Sequence, residues 1–166
     1  PNIEPEGYKP PTSARELLKR YARGERYFVG AQLGGVNLEG ANLEGGNFEE
    51  ANLSGARLRE ADLTRADLYM SRLDDSDLSG ANLFKANIFN ASLKGANLKG
   101  ANLSFAIVDG VDVTGADLRL VSLDATLIDY VDFSPAKLGP VRAYGPCSVG
   151  TETLERTAEG LANHPE

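Results

Sequence analysis

Residues 91–103 read Ala-Ser-Leu-Lys-Gly-Ala-Asn-Leu-Lys-Gly-Ala-Asn-Leu, and the beat of this stretch extends over most of the chain. Every fifth residue from Leu33 to Leu138 is Leu, Ile, Val or Phe, through 22 pentapeptides with no insertion. Two positions earlier stands a small residue, usually Ala (Ala31, Ala51, Ala61, Ala81, Ala101, Ala116). A period of five suits neither an α-helix nor a flat strand. Two inward residues in five, at offsets −2 and 0, mean that the chain turns a corner after each short extended segment. Four corners close a square, so 20 residues make one coil. Coils stacked at the strand spacing of about 4.8 Å make a rod about 26 Å long.

The corner residues agree. Offsets +1 and +2 are the central turn positions, and offset +2 is Gly in nine repeats: Gly35, Gly40, Gly45, Gly55, Gly80, Gly95, Gly100, Gly110 and Gly115. A type II turn needs positive φ there. Glu50, Arg65, Met70 and Phe105 break the Gly habit, so another turn type is expected at those corners. Offset −1 is mostly Asn or Asp, pointing outward and bonding to backbone.

Ala51-Asn52-Leu53-Ser54-Gly55, Ala96-Asn97-Leu98-Lys99-Gly100 and their neighbours resemble the pentapeptide-repeat family over about 108 residues. The resemblance implies an all-β fold, a right-handed quadrilateral β-helix with a dry core of Leu, Phe and Ala. The run Glu16–Phe28 resembles the helical lead-in of cyanobacterial members.

The flanks complete the expected organisation: an N-terminal extension and capping helix over 1–27, the β-helix over 28–138, and a linker with a C-terminal helix over 139–166. Ser13 and Glu16 fit a capping box for a helix over Ser13–Ala22 that sets Leu17, Leu18 and Tyr21 on one side and stops at Gly24. Such a helix covers the open lower end, whose edge would otherwise pair with other chains. Pro135 and Pro140 fall at offset +2, where Pro fits poorly, so the regular coil is expected to stop near Ser134. Thr151 can N-cap a second helix with Leu154, Ala158 and Leu161 on one face, covering the upper end. This helix is short, and the natural chain is expected to continue past it.

Charge and composition narrow the function. The chain of 166 residues carries a formal net charge of −7. Residues 31–138 hold 16 acids and 9 bases, and the flanks hold 8 of each. This balance disfavours direct phosphate-backbone binding. Cys147 is the single cysteine and His164 the single histidine, both outside the repeats, so no disulfide framework or Cys-based metal site is indicated. No apolar run is long enough for a membrane span, and no signal-peptide pattern is visible. A cytoplasmic monomer without cofactor is expected, although Pro1 in place of Met leaves room for a removed leader.

A filled solenoid offers function only on its outside. Sorted by the 20-residue period, Tyr69 stacks with Phe89 and Ile107 with Leu127. Met70, Phe84, Phe105 and Tyr130 fall on the same or the adjoining face. These eight residues are the candidate protein-binding patch. A basic strip (Arg57, Arg59, Lys99, Arg119, with Lys85 above Arg65) reads as solvated surface. The carboxylates Asp74, Asp75 and Asp77, the ladder Glu49, Asp109 and Asp129, and the stack Asp112 and Asp132 lack the pocket that catalysis or a metal site needs. The expected function is therefore a non-enzymatic interaction scaffold that docks a protein partner of unknown identity, as a module of a longer protein. The alternative, implied by family resemblance, is a DNA-mimicking protein that binds and protects gyrase.

Overall fold

The computed structural model describes residues 3–139. It is a right-handed quadrilateral β-helix preceded by one helix, α1 (Ala14–Ala22). Each bridge links a residue to the one 20 positions later, from Tyr27 with Asn47 to Asp117 with Lys137, always parallel. The extended segments between corners are so short that most ladders are single bridges. Only β1 (Ile107–Asp109) and β2 (Leu127–Asp129) widen into a three-residue parallel pair.

The repeat Ala51–Gly55 shows why five residues suffice. Ala51 N–H closes the preceding turn on Phe48 O (3.0 Å), and Asn52 N–H reaches down to Ala31 O (2.8 Å). Leu53 and Gly55 reach up to Arg72 O and Asp74 O, both at 2.7 Å. The fifth donor, Ser54 N–H, meets the side-chain Oδ1 of Asn52 at 3.1 Å. Every backbone donor of this unit is satisfied. The Asn/Asp habit at offset −1 is thereby explained: it supplies the acceptor for the first turn residue, as Asp62 does for Thr64 and Asn102 for Ser104.

At corners from Gly30 to Tyr130 the second turn residue has positive φ whether or not it is Gly. Glu50, Arg65, Met70 and Phe105 sit at φ 56, 56, 54 and 60, beside Gly55 at 66. The expectation of another turn type at those four corners is overturned. Left-handed backbone costs an L-residue roughly 1–2 kcal/mol. Each of these four corners offsets this with a turn bond and an inter-coil bond, such as Met70 N–H to Phe89 O and Ser71 N–H to Leu68 O, both 3.0 Å.

The interior holds the offset 0 residues in four columns, with the small residues between them. It is not purely aliphatic. Ser71, Ser76 and Thr126 are buried there, and their hydroxyls donate to Leu68 O, Leu73 O and Leu103 O at 2.7–2.8 Å. In the upper coils the two inward positions exchange bulk. Val108 and Val113 replace the larger centre residue, while Val111, Val121, Thr126 and Val131 replace Ala. A core at crystal-like packing density demands that exchange.

The chain keeps winding past Ser134, although the regular pattern breaks at that corner. Ala136 N–H closes a turn on Phe133 O (3.0 Å) and Lys137 bridges Asp117. Pro135 is tolerated because an offset +2 N–H points to the coil above, so the ring removes a donor that the coil below never uses. Its fixed negative φ changes the corner. Gly115 N–H accordingly bonds Pro135 O rather than the Ser134 O that the regular pattern would select.

The lower end is closed by α1 and by residues 3–12. Ser13 Oγ accepts from Glu16 N–H (3.2 Å), while the Glu16 carboxylate reaches Thr12 N–H (3.3 Å) instead of Ser13. Leu17 is fully buried and Tyr21 half-buried, but Leu18 remains 38% exposed, so it does not belong to the packed side. The Tyr21 ring stacks on Phe28, and Phe28 stacks on Phe48. The segment before α1 also contributes: Pro11 O accepts from Gln32 N–H (2.9 Å), a donor facing down from the first coil. Tyr8 donates to Val29 O (2.9 Å), and burial pushes its phenol up to about 12. The expected second helix lies outside the described residues.

Candidate functional site: the aromatic and acidic face

The four faces are named by their lowest centre residue: face 1 by Phe28, face 2 by Leu33, face 3 by Leu38 and face 4 by Leu43. Face 1 collects most of the candidate patch. Tyr69 and Phe89 stand on successive coils with ring centroids 5.8 Å apart and planes 17° from parallel. Ile107 pairs directly with Leu127 at the other edge of the face, one and two coils higher. Across the corner with face 4, Phe84 and Phe105 meet edge-on at 5.4 Å. The Lys85 ammonium lies over both rings, at 5.2 and 5.9 Å from their centroids.

Exposure divides the eight residues. Met70, Phe105, Ile107, Leu127 and Tyr130 are exposed, whereas Tyr69, Phe84 and Phe89 are half-buried by their own stacking. Met70 and Tyr130 share one corner column but stand three coils apart, with Asn90 and Gly110 between them. They flank the patch and do not join it. Leu120, 51% exposed on the far corner of face 3, was missed by the sequence reading. Sorting the offset +2 residues for apolar side chains would have found it.

Charge is distributed by face. Between residues 47 and 130, face 1 carries Glu49, Glu50, Asp67, Asp109 and Asp129 and no Lys or Arg. Face 3 carries Arg57, Arg59, Lys99, Arg119 and Lys137; faces 2 and 4 carry two bases each. Six ion pairs lie on faces 2, 3 and 4 or across their corners, including Arg57–Glu39 (3.3 Å), Arg65–Glu44 (3.4 Å), Lys94–Asp112 (3.2 Å) and Arg119–Asp117 (2.5 Å). None of the five carboxylates of face 1 takes part in an ion pair among the described residues.

The Arg119 hydrogen bond holds the Asp117 carboxyl down to about 2. The Thr114 hydroxyl and N–H, then Lys94, lower that of Asp112. The basic strip is thus engaged with neighbouring acids at Arg57, Arg59 and Arg119. Asp74, Asp75 and Asp77 do not converge on a common point: Asp77 accepts from Ser79 and Asn97, and Asp74 from Ser92 and Lys94 N–H. Among the described residues no group of three His, Cys, Asp or Glu is arranged to hold a metal ion. Cys147 and His164 lie outside the described residues.

Eight copies of the pentapeptide-repeat model match the sequence, across residues 27–61, 47–80 and 81–119. The chain belongs to the pentapeptide-repeat family. Among solved structures it is similar to a pentapeptide repeat protein from the thylakoid lumen of Arabidopsis thaliana, at 32% identity over 58% of this chain and 63% of that one, with a TM-score of 0.50. It therefore spans less than two thirds of that relative. A pentapeptide repeat protein from the cyanobacterium Cyanothece matches at 30% identity over 75% of this chain and 99% of that one, TM-score 0.31. HetL, involved in heterocyst differentiation regulation in the cyanobacterium Nostoc, matches at 28% identity over 79% and 71%, TM-score 0.28. No curated protein matches the sequence. Among the described residues no helix is long and apolar enough to cross a membrane.

Proposed function

We propose that this pentapeptide-repeat protein is a non-enzymatic scaffold that docks a protein partner on face 1 and its corner with face 4. The observation that carries the reading is the change in outward chemistry between Tyr69 and Tyr130. There the polar residues and Gly of the outward offsets give way to stacked Tyr69 and Phe89, paired Ile107 and Leu127, and Phe105, half-buried or exposed. None of these side chains is needed for the core, which the inward residues fill without them. Contiguous apolar surface rimmed by polar residues marks interaction sites.

The test is a pull-down with the wild-type protein and the Tyr69→Ser/Phe89→Ser double variant, with the fold checked by circular dichroism. A partner retained by the wild type and lost by the folded double variant supports the reading. Survival of every partner refutes it. The duplex-mimicking alternative draws less support, because five bases stand on face 3 among four acids.

A further inference from the structure

Resting on that docking surface, we infer the chemistry of its partner: an extended protein segment in which basic and apolar residues alternate on one side, Arg-x-Leu-x-Arg in pattern. Two independent features of face 1 point to it. One is the apolar patch. The other is the absence of any counter-charge: five carboxylates, no base on the face between residues 47 and 130, and no ion pair there among the described residues, on a solenoid whose other three faces are laced with them.

The order of side chains up the face sets the spacing. In the offset +1 column Glu49 stands one coil below Tyr69, and Asp109 one coil above Phe89. Three coil steps separate the two carboxylates, about 14 Å at the strand spacing of about 4.8 Å. Same-side residues of an extended segment recur about every 6.7 Å, so residues i and i+4 span about 13.4 Å. A basic residue opposite Glu49 therefore places residue i+2 over the Tyr69–Phe89 stack and a second basic residue opposite Asp109. Arg suits the outer positions, because its guanidinium pairs with a carboxylate while lying against an aromatic face. An acidic or neutral segment would leave the carboxylates desolvated beside apolar groups without compensation. Lys85, at the neighbouring corner, is turned over the Phe84 and Phe105 rings.

The probe is a labelled peptide of alternating sequence, Thr-Arg-Thr-Leu-Thr-Arg-Thr-Leu-Thr-Arg, titrated by fluorescence anisotropy, with a control in which Glu replaces every Arg. The Arg peptide is expected to bind and the Glu peptide to fail. Affinity should drop roughly fivefold or more between low and physiological salt, as screening of exposed charges dictates. Glu49→Gln/Asp109→Asn should weaken binding about tenfold, the equivalent of one close charge pair. Arg59→Gln/Lys99→Gln on face 3 should leave affinity no weaker than wild type. Equal binding of the Arg and Glu peptides, or none of either, overturns the inference and leaves the carboxylates as solubilising groups around an apolar face. The docking reading fails separately: it falls if the Tyr69→Ser/Phe89→Ser protein keeps its natural partner. It stands alone if that partner is lost there but survives Glu49→Gln/Asp109→Asn unchanged.

Discussion

A Cβ built on Gly46 would stand 2.5 Å from Cε2 of Phe48 and 3.1 Å from Leu43 O. The large ring and the missing side chain are one adaptation. Phe48 fills its corner of the core and stacks on Phe28, and only a bare backbone two residues earlier leaves it room. Gly46→Ala should cost about 1–3 kcal/mol by overpacking. Phe48→Leu in the same chain should recover much of the loss, because it recreates the Ala-x-Leu unit found at Ala51 and Leu53. A double-mutant cycle in urea should give a coupling of about 1 kcal/mol or more. Additive losses would show that the two positions are independent.

Gly100 makes the contrasting case. It sits at φ 72, and a Cβ there would meet nothing within 4 Å. Gly100→Ala should therefore lose only the left-handed backbone cost, about 1 kcal/mol. The denaturation midpoint should fall less than for Gly46→Ala. A larger fall would mean that the corner tolerates less than its neighbours, since Ala125 already adopts φ 51.

The offset −1 residues form a second ladder outside the core. Asn87 accepts from Phe89 N–H (3.1 Å) and donates from Nδ2 to Oδ1 of Asp67, 3.0 Å away in the coil below. Asn87→Asp keeps the acceptor and replaces the donor with a second carboxylate. It should destabilise by about 1–3 kcal/mol at neutral pH, since like charges at that distance resist joint ionisation. One carboxyl of the pair then has a raised pKa in the folded state. Its penalty is present above that raised value and fades as acid protonates it. The gap between variant and wild type should narrow as pH falls below about 5. A pH-independent gap would locate the damage in the lost donor alone.

Asp117 titrates with the opposite sign. Its folded value of about 2, set first by the Arg119 hydrogen bond, lies below the ordinary value of about 3.9 for an unfolded Asp. Between those values the unfolded chain binds more protons. The contribution is full above about pH 4 and is lost as pH falls through about 2. Asp112 and Asp132, lowered by bonds from Thr114 and Ser134, act in the same direction. Urea midpoints should therefore decline on acidification, and Asp117→Asn should flatten the decline while keeping the acceptor for Arg119 N–H. An unchanged slope would show that the ion pair is absent in solution.

Much of this architecture was legible because the repeat aligns local and global preferences. The five-residue beat marks which residues point inward, and the 20-residue sum places Tyr69 beneath Phe89 and Ile107 beneath Leu127. Other features were hidden for physical reasons. Intrinsic preference disfavours positive φ at Met70 or Phe105, yet the bonds made at each corner by the adjoining coils override it. Pro135 looked like a terminator, but a donor that points upward is dispensable in the coil that carries it. Residues 3–12 have no periodicity, so nothing in their order announces that Pro11 O serves the first coil. Within the candidate site, ladder membership was readable from position. Exposure was not: Tyr69 and Phe89 partly cover one another, and Leu18 turns outward from a helix whose neighbour Leu17 is buried.

The unbroken 20-residue register has a combinatorial consequence. Removing any five consecutive residues from the body would preserve every corner while rotating all that follows by a quarter turn. Where the cut falls between Tyr69 and Ile107, those two would look out in perpendicular directions. Removing 20 would shorten the rod by one coil and leave each direction as it was. For such a chain, lengths that are multiples of five keep the scaffold whole, but only multiples of 20 keep the message on its surface in phase.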